Sequence, residues 1–179
     1  METHLNKAKW ILDPSHSEVL FKVRHLMISN VKGEFRKFSV EVDGNDFRQD
    51  HIKVQIQTES VFTNDDNRDT HLRSADFFDS ANHPEIHFES SKITKISDED
   101  YTLSGMLTIK GISREIDLNL TFNGTKKDPW GNEKAGFSVN GNINRNDWGL
   151  TWNAALEAGG LLVSEMVQLS ADIQLVHQA

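Results

Sequence analysis

The chain contains no cysteine, which removes disulfide frameworks, thiolate nucleophiles and cysteine-based zinc sites from consideration and leaves the compartment open. No run approaches the ~18 apolar residues a membrane-crossing helix needs. The opening residues, Met1-Glu-Thr-His-Leu-Asn-Lys-Ala-Lys-Trp10, lack the continuous apolar stretch of a secretory leader. As written, the sequence therefore predicts a cytoplasmic protein; a processed form that had lost its leader would read the same way and would be periplasmic or secreted. Positive charge is in deficit, with 19 Lys and Arg against 27 Asp and Glu and a net charge of −8. The long-range field opposes nucleic acid and anionic lipid surfaces, so nucleic acid is not an expected partner.

Internal repeats, low-complexity tracts and linkers are also missing, and 179 residues suit one core better than two, so 1–179 is read as a single domain. A composition of 37% hydrophobic and 26% charged residues is that of a folded chain, neither disordered nor membrane-embedded.

What the sequence has in abundance is period-two alternation. Val19, Phe21, Val23 and His25 fall on one face and Glu18, Lys22 and Arg24 on the other, the pattern of a half-buried strand. The same pattern recurs in Phe38-Val40-Val42, Ile52-Val54-Ile56 and Ile86-Phe88. It continues in Tyr101-Leu103-Leu107-Ile109, where Met106 is the irregularity, and in Ile116-Leu118-Leu120-Phe122, Phe137-Val139-Ile143 and Val167-Leu169-Ala171-Ile173-Leu175. Turn residues separate the runs at Asp43-Gly44-Asn45, Ser97–Asp100, Lys110-Gly111, Asp128–Gly131 and Gly159-Gly160. About eight antiparallel strands, each with one apolar face, must pack as two sheets or close as a barrel, and alternation alone does not choose. One stretch departs from the pattern. Residues 65–79 are rich in capping side chains and predict a short helical lid.

Several spaced motifs carry a resemblance. Trp10-Ile-Leu-Asp13-Pro14 through His16, Val19, Phe21, His25 and Gly33 to Phe35 is similar to the opening of the YceI-like family. Arg68-Asp69-Thr-His71-Leu72 with Ser74, Asp76-Phe77-Phe78-Asp79, Pro84 and Phe88 resembles its most characteristic stretch. Gly105-Met-Leu107-Thr108-Ile109-Lys-Gly111, Arg145-Asn-Asp147-Trp148-Gly149 and the segment from Gly160 to Val167 complete the match. The resemblance implies an extended, lipocalin-like antiparallel barrel that binds, sequesters or transports a polyisoprenoid or other long-chain amphiphilic lipid, without catalysis or cofactor, and often as a homodimer. Burial alone suffices for such a guest: at roughly 0.3 kcal/mol per heavy atom, a forty-carbon chain reaches roughly 12 kcal/mol, about nanomolar.

Candidates for the ligand wall are the inward-pattern residues Phe21, Val23, Phe35, Phe88, Leu103 and Leu107, with His25, Phe62, Phe77, Phe78, Trp148 and Trp152. An ordinary packed core would use the same types. Arg68, His71 and Arg73, joined by Arg145 if the fold brings it near, could bind an anionic head group. The competing reading is structural, with Arg68 and Asp69 pairing locally and capping the helix. Two chemistries are weighed and set aside. His83 and His87 would share a face only on a helix, which Pro84 and the strand pattern oppose, so no metal site is expected. Ser74, His71 and Asp76 spell a hydrolase triad on paper but lack an activating elbow. An enzyme acting on a lipid-like substrate in the same cavity, or a stress-related interaction domain with a filled core, are the alternatives to a carrier.

Overall fold

The computed structural model describes residues 9–44, 46–49, 51–157 and 162–178; Asn45 and the Gly159-Gly160 turn lie outside them. Eleven strands form one antiparallel sheet: β1 (Lys9–Leu12), β2 (Glu18–His25), β3 (Ser29–Phe35), β4 (Phe38–Val42), β5 (Ile52–Gln57), β6 (Val61–Phe62), β7 (Glu85–Lys95), β8 (Asp100–Ile109), β9 (Ile112–Lys127), β10 (Glu133–Asn144) and β11 (Val163–Gln178). Three pairs of short strands, β1 with β2, β3 with β4 and β5 with β6, are single lines broken by a kink, because β4 pairs with β1 and β5 while β3 pairs with β2 and β6. Eight lines remain, each antiparallel to its sequence neighbours. β11 pairs with β1 and β2 as well as with β10, so the ring closes. The molecule is a closed eight-stranded antiparallel barrel, and the choice between sandwich and barrel is made by that one pairing of chain ends.

The first kink has a chemical cause. Pro14 cannot donate to a ladder, and the chain turns through a short helical segment, Pro14–His16. Side chains repair the lost pairing: Gln174 donates its N–H to Ser17 Oγ at 2.9 Å, and the Asp13 carboxylate accepts from Ser15 Oγ at 2.8 Å, Lys134 Nζ at 3.2 Å and Gln174 Nε2 at 3.1 Å. Burial works to raise the Asp13 pKa, but the hydrogen bonds from Ser15, Lys134 and His16 and the charge of His16 outweigh it and hold the carboxyl well below the usual carboxylate range. A pKa depressed by folding adds stability that is present above the unfolded value of about 3.9 and is lost as pH falls below it. Asp13→Asn is therefore expected to be less stable than the parent by about 1 kcal/mol at neutral pH. Urea titrations at pH 7 and pH 3 should show that gap closing in acid.

Met106 resolves as the outward residue of its run. Tyr101, Leu103, Leu107 and Ile109 are buried, Met106 is exposed, and Gly105 takes the inward position between Leu103 and Leu107. A side chain there would sit 2.6 Å from Phe88 Cζ, so the glycine lets the Phe88 ring lie across the strand. Gly33 does the same for the Phe21 ring.

The lid is α1 (Asp66–Arg73), within the predicted 65–79. Asp65 caps it by accepting the Arg68 N–H at 3.0 Å. Buried Asp69 serves the connection before it, accepting from Thr63 N at 2.8 Å and Thr63 Oγ1 at 2.5 Å.

Candidate functional site

The connections fall at two ends. The β2–β3 and β8–β9 turns, the α1 segment between β6 and β7, and the β10–β11 connection crowd the upper end; the β4–β5, β7–β8 and β9–β10 loops share the lower one. The lower end is stopped by an aromatic plug. Phe47, from the β4–β5 loop, is buried with ring centroids 5.4 Å from Tyr101, 5.1 Å from Phe122 and 4.9 Å from Phe137. Arg48 lies over Phe47 at 4.7 Å and donates Nε to the Tyr101 hydroxyl at 2.8 Å, so a cation and its hydrogen bond seal the plug from outside.

Above the plug the barrel is hollow. Val23, Val139, Val167, Leu169 and Ala171 point toward the axis and yet are only half-buried, because they border a cavity of about 590 Å³. Ligand pockets run to ~300–1,000 Å³. The facing side chains of an eight-line barrel can meet at its centre, and here the aromatic rings do so at the plug. The wall is almost wholly apolar, and among the described residues the ionisable ones that border the cavity, Arg24, His25, Asp65, Arg68, His71 and Arg145, gather at the upper rim.

Of the sequence-predicted wall, Phe21, Val23, His25, Phe35, Phe88, Leu103 and Leu107 border the cavity from the strands, and Phe77, Phe78 and Trp152 border it at the rim. Two predicted residues lie elsewhere. In β6 it is Val61 that points into the core, so Phe62 faces out, and the Arg36 guanidinium covers it at 3.4 Å. Trp148 is buried behind the wall, its indole N–H donating to the Leu107 carbonyl at 2.9 Å. Phe47, Val31, Leu72 and Leu150 border the cavity without having been singled out; Phe47 and Leu150 sit in loops, where no period marks an inward side.

The predicted head-group cluster divides. Arg68 donates Nε to Thr63 Oγ1 at 2.8 Å and Nη2 to Thr63 O at 2.7 Å, which points the guanidinium along the rim and leaves Nη1 without a partner among the described residues. His71 Nε2 and Asp76 Oδ2 are 2.9 Å apart, and the imidazole stands edge-on between Phe77 at 5.0 Å and Trp152 at 4.6 Å. Arg73 does not border the cavity; its Nε is buried without a hydrogen-bond partner among the described residues. Arg145 does, but its guanidinium is already occupied. Nη1 donates to Leu150 O at 2.5 Å and Trp152 O at 2.9 Å, Nε to Ser164 O at 2.9 Å and Nη2 to Val163 O at 3.2 Å. Burial lowers its pKa, with Glu165 pulling the other way. Arg145 is thus the clamp that holds the β10–β11 connection, and through it Trp152, over the mouth.

The hydrolase triad is not assembled, because the Ser74 hydroxyl donates to the His71 backbone carbonyl at 2.6 Å and not to its ring. His83 precedes β7 while His87 lies within it and pairs with Glu85 at 3.1 Å, so the two imidazoles do not share a helical face. Among the described residues no three His, Cys, Asp or Glu side chains gather as metal ligands.

A hollow barrel stopped at one end, apolar within and, among the described residues, ionisable at its rim alone, has a lipocalin-like architecture. The chain belongs to the YceI-like family, whose domain model matches residues 10–175. A UPF0312 protein of Staphylococcus epidermidis is 38% identical over 170 residues, covering 93% of this chain and 96% of that protein. The Campylobacter jejuni YceI protein superposes with a TM-score of 0.75 at 34% identity over 94% of this chain and 97% of that one. A polyisoprenoid binding domain from Saccharophagus degradans shares the fold, with a TM-score of 0.73 at 16% identity over 96% of this chain and 100% of that one.

Proposed function

We propose that the protein is a non-catalytic carrier that binds a long-chain amphiphile of the polyisoprenoid class, tail in the barrel and polar head at the rim. The observation that carries this reading is the apolar cavity of about 590 Å³ with its ionisable groups confined to one end. That polarity gradient matches a guest with one charged terminus and suits no compact polar substrate. The binding named for the Saccharophagus degradans domain supports the choice of tail. Within the rim, Arg68 and His71 are the head-group partners, since Arg145 has its donors on carbonyls and Arg73 stands away from the cavity.

Organic extraction of the purified protein followed by mass spectrometry is expected to return a long-chain lipid. Titration with a polyprenyl phosphate, read through intrinsic tryptophan fluorescence, to which Trp152 at the rim contributes, should saturate at one equivalent with a Kd of about 1 μM or below. The matching uncharged polyprenol should bind several-fold more weakly, and Arg68→Ala should erase that preference. An empty extract together with no titration signal would remove the carrier reading.

A further inference from the structure

The β2–β3 turn presents apolar residues where the backbone least favours them. Leu26 and Met27, the two central positions, have φ of 54° and 59°, and Ile28 N donates to His25 O at 3.2 Å. This is the left-handed pair of a tight hairpin that ordinarily takes Asn-Gly. A bulky side chain at each position carries backbone strain. Neither residue is repaid by packing: Leu26 is 39%, Met27 61% and Ile28 78% exposed, with Met166 half exposed in the adjoining β11 bulge.

The same hairpin reverses the sign of the chain's charge locally. Lys22 stands directly opposite Lys32, with Gln168 on its other side, and Arg24 stands opposite Asn30. Arg24 donates Nε to Met27 O at 3.2 Å, and among the described residues none of the three cations forms an ion pair. Like charges set face to face across a ladder have no stabilising role in the sheet. The tip is also continuous with the cavity mouth: Val23, Arg24, His25 and Val31 border the cavity, and Leu26 N–H ties the turn to Leu162 O at 2.9 Å.

We propose that the β2–β3 hairpin is a docking tip for an anionic lipid bilayer surface, on which Leu26, Met27 and Ile28 enter the interface while Lys22, Arg24 and Lys32 meet lipid phosphates. The net charge of −8 opposes approach, but screening confines that field to about 10 Å, so the charges nearest the membrane decide. The inference rests on the carrier reading for its purpose, since it lets a tail cross from bilayer to barrel without meeting water.

Flotation with vesicles of phosphatidylcholine, alone or mixed equally with phosphatidylglycerol, tests the proposal. The parent protein is expected to float with the mixed vesicles and at least about tenfold less with neutral ones. Leu26→Asn combined with Met27→Gly supplies the pair the turn prefers, so the fold survives; flotation should fall at least about tenfold. Uptake of a soluble fluorescent fatty acid should be unchanged. Trp130→Ala, at the opposite end in an 83% exposed position, should float like the parent. The docking tip is overturned if the parent does not float or if the paired variant floats undiminished. It is also overturned if the paired change dissolves a dimer seen without vesicles, which would assign the tip to a second copy of the chain. A protein that floats yet yields an empty extract and gives no polyprenyl phosphate titration signal overturns the carrier reading and leaves the docking tip standing.

Discussion

Ala171→Trp is expected to weaken lipid binding by at least about a hundredfold while the barrel stays folded. Ala171 lies on β11 between Val139 of β10 and Val19 of β2, with its side chain on the inward face and only half-buried. An indole added to a filled interior forces rotamers and backbone apart at a cost of roughly 1–3 kcal/mol. Added to empty space, it buries its own apolar surface and occupies the volume a tail would need, so stability holds within about 1 kcal/mol or rises. The two readouts are a denaturant titration and a lipid titration on the same variant. A folded barrel that still binds at the parent affinity would place the guest somewhere other than this cavity.

Arg145→Met should lower stability by roughly 3–5 kcal/mol, the largest single loss expected in the molecule. Arg145 is 4% exposed and gives hydrogen bonds to four backbone carbonyls from two separate stretches, Leu150 and Trp152 on one side and Val163 and Ser164 on the other. Methionine keeps the bulk and abandons all four acceptors. Lysine keeps the charge, but its single ammonium cannot reproduce the planar fork, so Arg145→Lys should recover only part of the loss. Calorimetry should show melting lowered by roughly 10 °C, since each kcal/mol moves a domain of this size by about 2–4 °C. Because Trp152 hangs from the same clamp, its fluorescence should also shift toward that of a solvated indole.

The strand lines were legible because one side of each faces water and the other does not: Val19-Phe21-Val23 and Val167 through Leu175 alternate in sequence and alternate in space. Closure was not legible in the alternation and came only from the family motifs, since it depends on β1 meeting β11, far apart in the chain and joined by ladder bonds that leave no side-chain pattern. Hollowness, too, was implied by the family motifs and not by the alternation. Whether facing side chains meet depends on their summed volume across the ring, and Phe47, which fills the lower end, sits in a loop where periodicity is silent. At the rim, residue type picked out Arg68, His71 and Arg145, which border the cavity, but not what each donor does. Arg145 and Arg68 look alike in sequence, and only the carbonyls around Arg145 show that its donors are taken. Phe62 was misplaced by its type: phenylalanine suggests the inside, but the two-residue period hands that side to Val61.

The plug of Phe47, Tyr101, Phe122 and Phe137 makes the barrel a flask and not a pipe. Cargo entering a flask leaves by the neck through which it came, so loading and unloading are one passage travelled in opposite directions. A change at the neck that touches neither the head nor the tail of the bound guest eases entry and escape by the same factor and leaves affinity where it was. If the proposed carrier role holds, such a vessel conducts no stream between two reservoirs; it would visit them in turn, showing each the same face, with the head of its guest foremost.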